Sequence, residues 1–211
     1  MPNWCSNNLY IKGDPTDVAN FIQRVRLSKE EQEKRGQEYD ILGQLYPTPK
    51  ELMDTKSGSF GKDETEKQAE LETKQAENIA KYGQKDWYDW QYAKWGTKWG
   101  DCDTYLSGVE GYSQVEFGFT SAWSPPIEGI AHITTLFPTL EFALAYTEEG
   151  MDFYGLTTFY NGDVCDVCEH ISEIDGMKAV DWDSDDYQEV IDNNDGLLLN
   201  AQEKLLTESG F

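Results

Sequence analysis

An α+β fold is what this 211-residue sequence predicts, and three stretches predict it. Around residues 104–126, Val115, Phe117 and Phe119 alternate with Glu116, Gly118 and Thr120, the period-two pattern of a strand with one buried face. After the stop at Pro125 and Pro126, Ile127, Ile130, Ala131, Thr134 and Phe137 recur at helical spacing. Near the start, a strand over Trp4–Lys12 is broken by Gly13-Asp14-Pro15 and followed by Val18, Phe21, Ile22 and Val25, again at helical spacing. Together these give the order β-α-β-β-α-β of a ferredoxin-like split βαβ sandwich, one antiparallel sheet with helices on one face. "Ferredoxin-like" names the geometry here; the four cysteines do not have iron–sulfur spacing.

Each element has its own sequence signals. Thr16 or Asp17 is expected to cap the first helix. The hairpin's first strand is expected over Thr104–Val109, with Gly108 and Gly111 bracketing the turn. Neither Pro125 nor Pro126 can donate a ladder hydrogen bond, so the second strand ends by Ser124. Pro138 closes the second helix, and Leu140, Phe142, Leu144 and Tyr146 form the next alternating strand. Glu148-Glu149-Gly150 turns into an added strand over Met151–Tyr160, which is apolar on both faces. A turn at Asn161-Gly162-Asp163 follows, then an acidic region with helices expected at Asp185–Asn193 and Leu197–Leu206.

Between the first helix and the hairpin lies a large insertion, residues 28–100. It opens on a charged segment and passes a rigid Pro47-Thr48-Pro49 turn and a small, Gly-rich loop at Ser57–Gly61. Residues 62–82 are rich in Glu, Lys, Gln and Ala, with a thin apolar stripe, and read as an exposed helical arm. A dense aromatic run follows: Trp87, Tyr88, Trp90, Tyr92, Trp95 and Trp99. Tyr88, Tyr92, Trp95 and Trp99 make one stripe if the run is helical, with Gly96 a candidate break. These aromatics either cover the sheet or form a recognition surface; each can bury roughly 150–250 Å². The expected organisation is one domain over residues 1–161, including the insertion, and an acidic extension over residues 162–211 packed on or flanking it.

The charge is uneven. The formal net charge is −23, and residues 101–211 hold 23 of the 40 acidic side chains and only 2 of the 17 basic ones. No basic residue occurs between Lys98 and Lys178. Such a field opposes binding to a nucleic-acid backbone, whose affinity comes from Lys and Arg on phosphates. It equally opposes an anionic membrane surface. No apolar run is long enough to span a bilayer, and the first ten residues lack the pattern of a signal peptide. A cytoplasmic chain with reduced thiols is therefore expected.

Candidate chemistry is sparse. Cys165, Cys168 and His170 form C-x2-C-x-H, a fragment of a zinc site whose fourth ligand Cys5 or Cys102 could supply only if the fold brings one of them close. Asp181, Asp183 and Asp185 resemble the start of a calcium loop, with Asp192 at the twelfth position, but Asp186 stands where the loop needs Gly. Glu128 and His132 are spaced for a carboxylate–imidazole pair, with no nucleophile beside them. Ser121 and Ser124 lack a nucleophile elbow, and no Gly-rich phosphate loop occurs. No cofactor and no catalytic residue are expected.

Three motifs in fixed order, Pro2-Asn3-Trp4-Cys5-Ser6-Asn7, Trp95-Gly96-Thr97-Lys98-Trp99-Gly100 and Thr120-Ser121-Ala122-Trp123-Ser124-Pro125-Pro126, resemble the YubB ferredoxin-like family of bacteriophages and conjugative plasmids. The resemblance covers roughly residues 1–160. It implies a ferredoxin-like fold in a mobile-element setting, and carries no catalytic residues.

Two non-enzymatic functions are open at this stage, beside a metal-assisted enzyme that would rest on Cys165, Cys168 and His170 alone. One is a non-enzymatic accessory protein that inhibits a host defence or nucleic-acid-handling protein by presenting carboxylates to its basic surface. The carriers would be Asp163, Asp166, Glu169, Glu173, Asp175, Asp181, Asp183, Asp185, Asp186, Glu189, Asp192 and Asp195. The alternative is a module binding a small nucleotide-like ligand on Trp87, Trp90, Trp95, Lys98, Trp99 and Trp123.

Overall fold

The computed structural model describes residues 3–61, 63–107 and 113–211. Six antiparallel strands form its sheet in the order β2-β3-β1-β4-β5-β6. They are β1 (Trp4–Lys12), β2 (Lys98–Ser107), β3 (Gln114–Ala122), β4 (Glu141–Glu148), β5 (Phe153–Tyr160) and β6 (Asp163–Glu169). The first four in spatial order, 2-3-1-4, are the ferredoxin-like sheet, and β5 and β6 extend it by two hairpins.

One face of the sheet carries the main core. On β1, Leu9 and Ile11 are fully buried, and across the ladder they oppose Phe117 and Val115 on β3 and Leu144 and Phe142 on β4. Helix α1 (Pro15–Val25) lays Val18, Phe21, Ile22 and Val25 on this surface. Phe21 sits at its centre, with ring centroids 5.0 Å from Phe137, 5.7 Å from Phe142 and 5.9 Å from Phe117. The cap of α1 is Asp14, whose carboxylate accepts from Thr16 N, and not Thr16 or Asp17; Pro15 takes the first helical position, where its missing N–H costs nothing. Helix α7 (Ile127–Thr134) adds Ile130 and Ile133 beside it.

The insertion folds back onto the same core. It comprises α2 (Lys29–Arg35), α3 (Ile41–Leu45), α4 (Lys50–Met53), α5 (Thr65–Tyr82) and α6 (Trp87–Trp95). Ser28 and Glu31 close a capping box on α2. Ile41, Leu42, Leu45, Leu52, Trp90 and Trp95 all join the core. As the composition predicts, α5 is an exposed arm; Leu71 and Asn78 are its buried residues. Asn78 holds it down by donating to Thr55 Oγ1 and to Lys85 O, both at 2.9 Å.

Several expectations are corrected. The hairpin's first strand starts at Lys98, so Trp99 lies on a strand rather than on a helical stripe. Helix α6 stops at Gly96 in a left-handed cap, and it buries Trp90, Gln91 and Trp95 while Tyr88 and Tyr92 pack on each other at 4.9 Å. Gly108, Val109 and Gly111 of the expected turn lie outside the described residues. Residues 163–169 form a strand, where the sequence reading has only a turn and an acidic region. The two expected C-terminal helices are one, α8 (Tyr187–Ser209), because Gly196 is tolerated in its exposed middle. Helix α8 covers the second face of the sheet, where Leu205, Leu206 and Phe211, with Tyr10 of β1, pack on Ala143, Ala145 and Leu156. Among the described residues no helix is long and apolar enough to cross a membrane.

Candidate functional site

Two regions of the surface concentrate polar chemistry. The first is the acidic one. All twelve of its carboxylates from Asp163 to Asp195 are on exposed residues, and Lys178 is the one Lys or Arg in that span. Two of them are pinned by tyrosines. Tyr146 and Thr157 donate their hydroxyls to Asp166 Oδ1, at 2.9 and 2.6 Å, and Tyr154 donates to Glu169. Burial, reinforced by hydrogen bonding to Cys168 and Asp166, pushes the Tyr146 hydroxyl far up, so it stays a donor.

Residues 170–186 then cross to α8. Asp152, in a left-handed conformation, accepts from Ser172 N and Ser172 Oγ, and those bonds hold its carboxyl below the usual range. Lys178 N donates to Asn194 Oδ1 at 3.1 Å and Asn194 Nδ2 to Lys178 O at 2.7 Å, tying the crossing segment to α8. Between them runs a groove of about 220 Å³ lined by Ile171, Met177, Val180, Trp182, Ile191 and Leu198. Trp182 is 71% exposed, with Tyr187 beside it at 6.0 Å. Neither Trp182 nor Tyr187 enters the sequence-based site, because single aromatics among acids carry no pattern.

The metal fragments do not assemble. Cys165 and Cys168 lie on β6 at an odd separation, so their side chains point to opposite sheet faces, and a chelate needs both on one side. His170 instead places Nδ1 3.1 Å from Asp152 O. In the calcium-like run, Asp181 accepts from Asp183 N at 3.2 Å, and Asp186 accepts from the Ser184 hydroxyl, which lowers its pKa. These are turn-closing bonds. Among the described residues no three His, Cys, Asp or Glu side chains gather as a metal site. His132 stacks on Tyr46 at 3.8 Å.

The second region is a cavity of about 330 Å³ between the insertion and β2. Its walls include Trp95, Trp99, Met53, Gln91, Asp40 and Asp101. Asp101 is buried. Its Oδ2 accepts from Ile41 N at 2.7 Å and Thr104 Oγ1 at 2.8 Å, and its Oδ1 from Leu42 N at 2.8 Å. Burial and the nearby Asp40 charge push it up to about 7, against these hydrogen bonds. Asp40 caps α3 and pairs with Arg35. Trp99 N donates to Gln91 Oε1 at 2.8 Å, and Gln91 Nε2 donates to Thr48 Oγ1 at 3.1 Å. The backbone here is irregular: Trp99 and Asp103 have φ of 69° and 55°, and the β2–β3 register shifts on both sides of Cys102. Such strain persists only where surroundings enforce it.

Of the aromatic site residues, Trp95 and Trp99 line this cavity. Lys98 lies over Trp99 at 4.1 Å, and Trp4 is 6.2 Å from Trp99. Trp90 is core, Trp87 packs on Tyr88, and Trp123 is tied to the β1 start by its N–H on Asn3 O. Asp40, Asp101, Gln91 and Arg35 are missing from the sequence reading. About 60 residues separate the two carboxylates, and no local spacing joins them.

With this geometry in place, comparison with known proteins locates the fold. Residues 94–192 match the family model of the ferredoxin-like domain in Api92-like protein. The match runs from the end of α6 into α8 and takes in β6. Among solved structures, the protein api92 from Yersinia pseudotuberculosis aligns with 81% of this chain and 98% of its own, at 12% identity and a TM-score of 0.47. No curated protein matches the chain.

Proposed function

We propose that this chain is a non-enzymatic accessory protein of a mobile element, and that it binds and inhibits a basic host protein through its acidic C-terminal half. The observation that carries the reading is the run from Asp163 to Asp195: twelve exposed carboxylates with Lys178 as the single Lys or Arg among them. Carboxylates at this density offer a nucleic-acid-handling protein what phosphates would offer it. Trp182 and Tyr187 supply the aromatic anchor on which such interfaces depend. The three-motif resemblance to the YubB family supports the mobile-element setting. Burial pushes Cys5 up to about 12 and Cys102 up to about 11, which keeps these two thiols protonated.

The test is affinity capture from host lysate with the wild-type chain and with a variant carrying Asp181→Asn, Asp183→Asn, Asp185→Asn and Asp186→Asn. A basic, nucleic-acid-binding protein should be captured at low salt by the wild type, and lost both at high salt and with the variant. Capture that ignores salt and charge would remove the reading.

The Trp99 cavity favours a second reading, a small-ligand module, with a restriction the sequence alone does not supply. The guanidinium in its lining, Arg35, is already paired with Asp40, which leaves little attraction for a phosphate. A nucleoside or free base suits it better than a nucleotide. Titrating adenosine and its 5′-monophosphate against tryptophan fluorescence tests this: quenching by the nucleoside alone, abolished in Trp99→Ala, supports it, and no quenching by either discards it.

A further inference from the structure

We infer that β6 is a docking edge, and that a lysine- or arginine-bearing extended segment of the partner adds to it as a seventh strand. This inference rests on the acidic-binding reading and specifies how the contact is made. Three observations support it.

The edge is open. Strand β6 pairs with β5 on one side, and all seven of its residues are exposed. The β5–β6 turn fixes which backbone groups are free. Asn161 and Gly162, at φ of 48° and 91°, form a two-residue hairpin turn, which makes Tyr160 and Asp163 a hydrogen-bonded pair. Alternation along the ladder then makes Thr158–Cys165, Leu156–Val167 and Tyr154–Glu169 the other bonded pairs. The N–H and C=O groups of Val164, Asp166 and Cys168 therefore point away from the sheet, ready for another strand.

The edge selects its partner by charge. Asp163, Asp166 and Glu169 stand at every third position, and Asp166 and Glu169 are held by tyrosine hydroxyls. A second copy of this chain is disfavoured. Antiparallel pairing centred on Asp166 would set Asp166 against its own copy and Asp163 against Glu169, with no lysine in the strand to relieve it. A basic residue opposite each acid turns all three repulsions into cross-strand ion pairs.

The edge also offers apolar contact. Val164 and Val167 are 45% and 41% exposed, and Tyr160, the last residue of β5, is 72% exposed across the turn. Beside Tyr160 and Val164 is a groove of about 290 Å³ that Cys165 and Phe211 also line. An extended peptide gains affinity from main-chain bonds and specificity from alternate side chains in such grooves.

The probe is a capped heptapeptide, Lys-Val-Thr-Lys-Val-Thr-Lys, with the corresponding Glu peptide as control, titrated against the full chain. Amide hydrogen exchange at Val164, Asp166 and Cys168 should slow on binding of the Lys peptide only. Two variants separate the causes. Val164→Pro with Cys168→Pro removes two outward N–H groups, at edge positions that tolerate proline, and leaves every carboxylate in place. Asp163→Asn, Asp166→Asn and Glu169→Gln remove the charge and leave the backbone. Each variant should weaken the Lys peptide about tenfold or more. Loss in the charge variant alone, or unchanged exchange at the three amides in the wild type, overturns strand addition while the acidic reading stands. No loss in either variant, or no binding of the Lys peptide, overturns both for this strand. If the proline variant fails to fold, the wild-type exchange pattern still decides.

Discussion

Replacing Phe21 with alanine is expected to cost about 3–5 kcal/mol of folding stability. Phe21 is fully buried and touches Phe117 on β3, Phe142 on β4 and Phe137 after α7, so it links both helices of the ferredoxin-like unit to the centre of the sheet. Its removal forfeits the transfer energy of a phenyl ring and three edge-to-face contacts, and leaves a cavity between rigid walls. Ile79→Ala on the exposed face of α5 should change stability by no more than ~0.5 kcal/mol. Urea unfolding followed by tryptophan fluorescence measures both. A Phe21→Ala cost below about 1 kcal/mol, well short of an ordinary buried-ring deletion, would mean that the core lies elsewhere.

Asp101→Asn is expected to destabilise the fold, and to do so more at low pH than at high. The carboxylate joins the start of α3 to β2 through Ile41 N, Leu42 N and Thr104 Oγ1. An amide places an NH₂ group against one of those donors and loses at least one bond. The pH dependence follows from burial, helped by Asp40, pushing Asp101 up to about 7 from the ordinary 3.8. Between those values the folded state holds a proton that the unfolded chain has released. This group's contribution to stability is therefore full near pH 4 and is lost as pH rises through about 7. The variant lacks that dependence. The stability gap between wild type and Asp101→Asn should be larger at pH 5 than at pH 8, with the narrowing on the order of a few kcal/mol. Denaturant melts at the two pH values measure it. A gap that stays level between pH 5 and pH 8 would mean the three hydrogen bonds outweigh burial and hold Asp101 ionised throughout.

The ferredoxin-like elements were legible because their large apolar side chains share one face and so keep a strict period: two on β1, β3 and β4, and a helical one on α1 and α7. Strand β6 escaped because all seven of its residues are exposed; Asp163 to Glu169 show no buried face to read. Helix α8 looked like two helices because Gly196 interrupts its weak apolar pattern, yet both halves are held, the first by Asn194 on the crossing segment and the last turns by Leu205 and Leu206 on the sheet. Trp99 was misplaced for a local reason. Its spacing from Trp95 suits a helix, but Gly96 takes a left-handed cap and turns the chain into β2.

The acidic face was legible as composition, whereas its organisation was not. Net charge identifies the residues; it does not tell that Tyr146 and Tyr154 hold two of them, or that Asn194 ties the crossing segment down. The Trp99 cavity was legible only by its aromatics. Its carboxylates, amide and guanidinium come from four separate elements and meet through tertiary packing.

The most direct test of the proposed function is a zero-length carbodiimide crosslink between this chain and proteins of a host lysate, mapped by mass spectrometry. Carbodiimide joins a carboxylate to an amine in direct contact, and the chain offers carboxylates throughout its length. If the acidic half is the binding face, crosslinks to partner lysines will concentrate between Asp163 and Asp195 and vanish at high salt. Crosslinks spread over α2 and α5, or confined to the Trp99 corner, would contradict it.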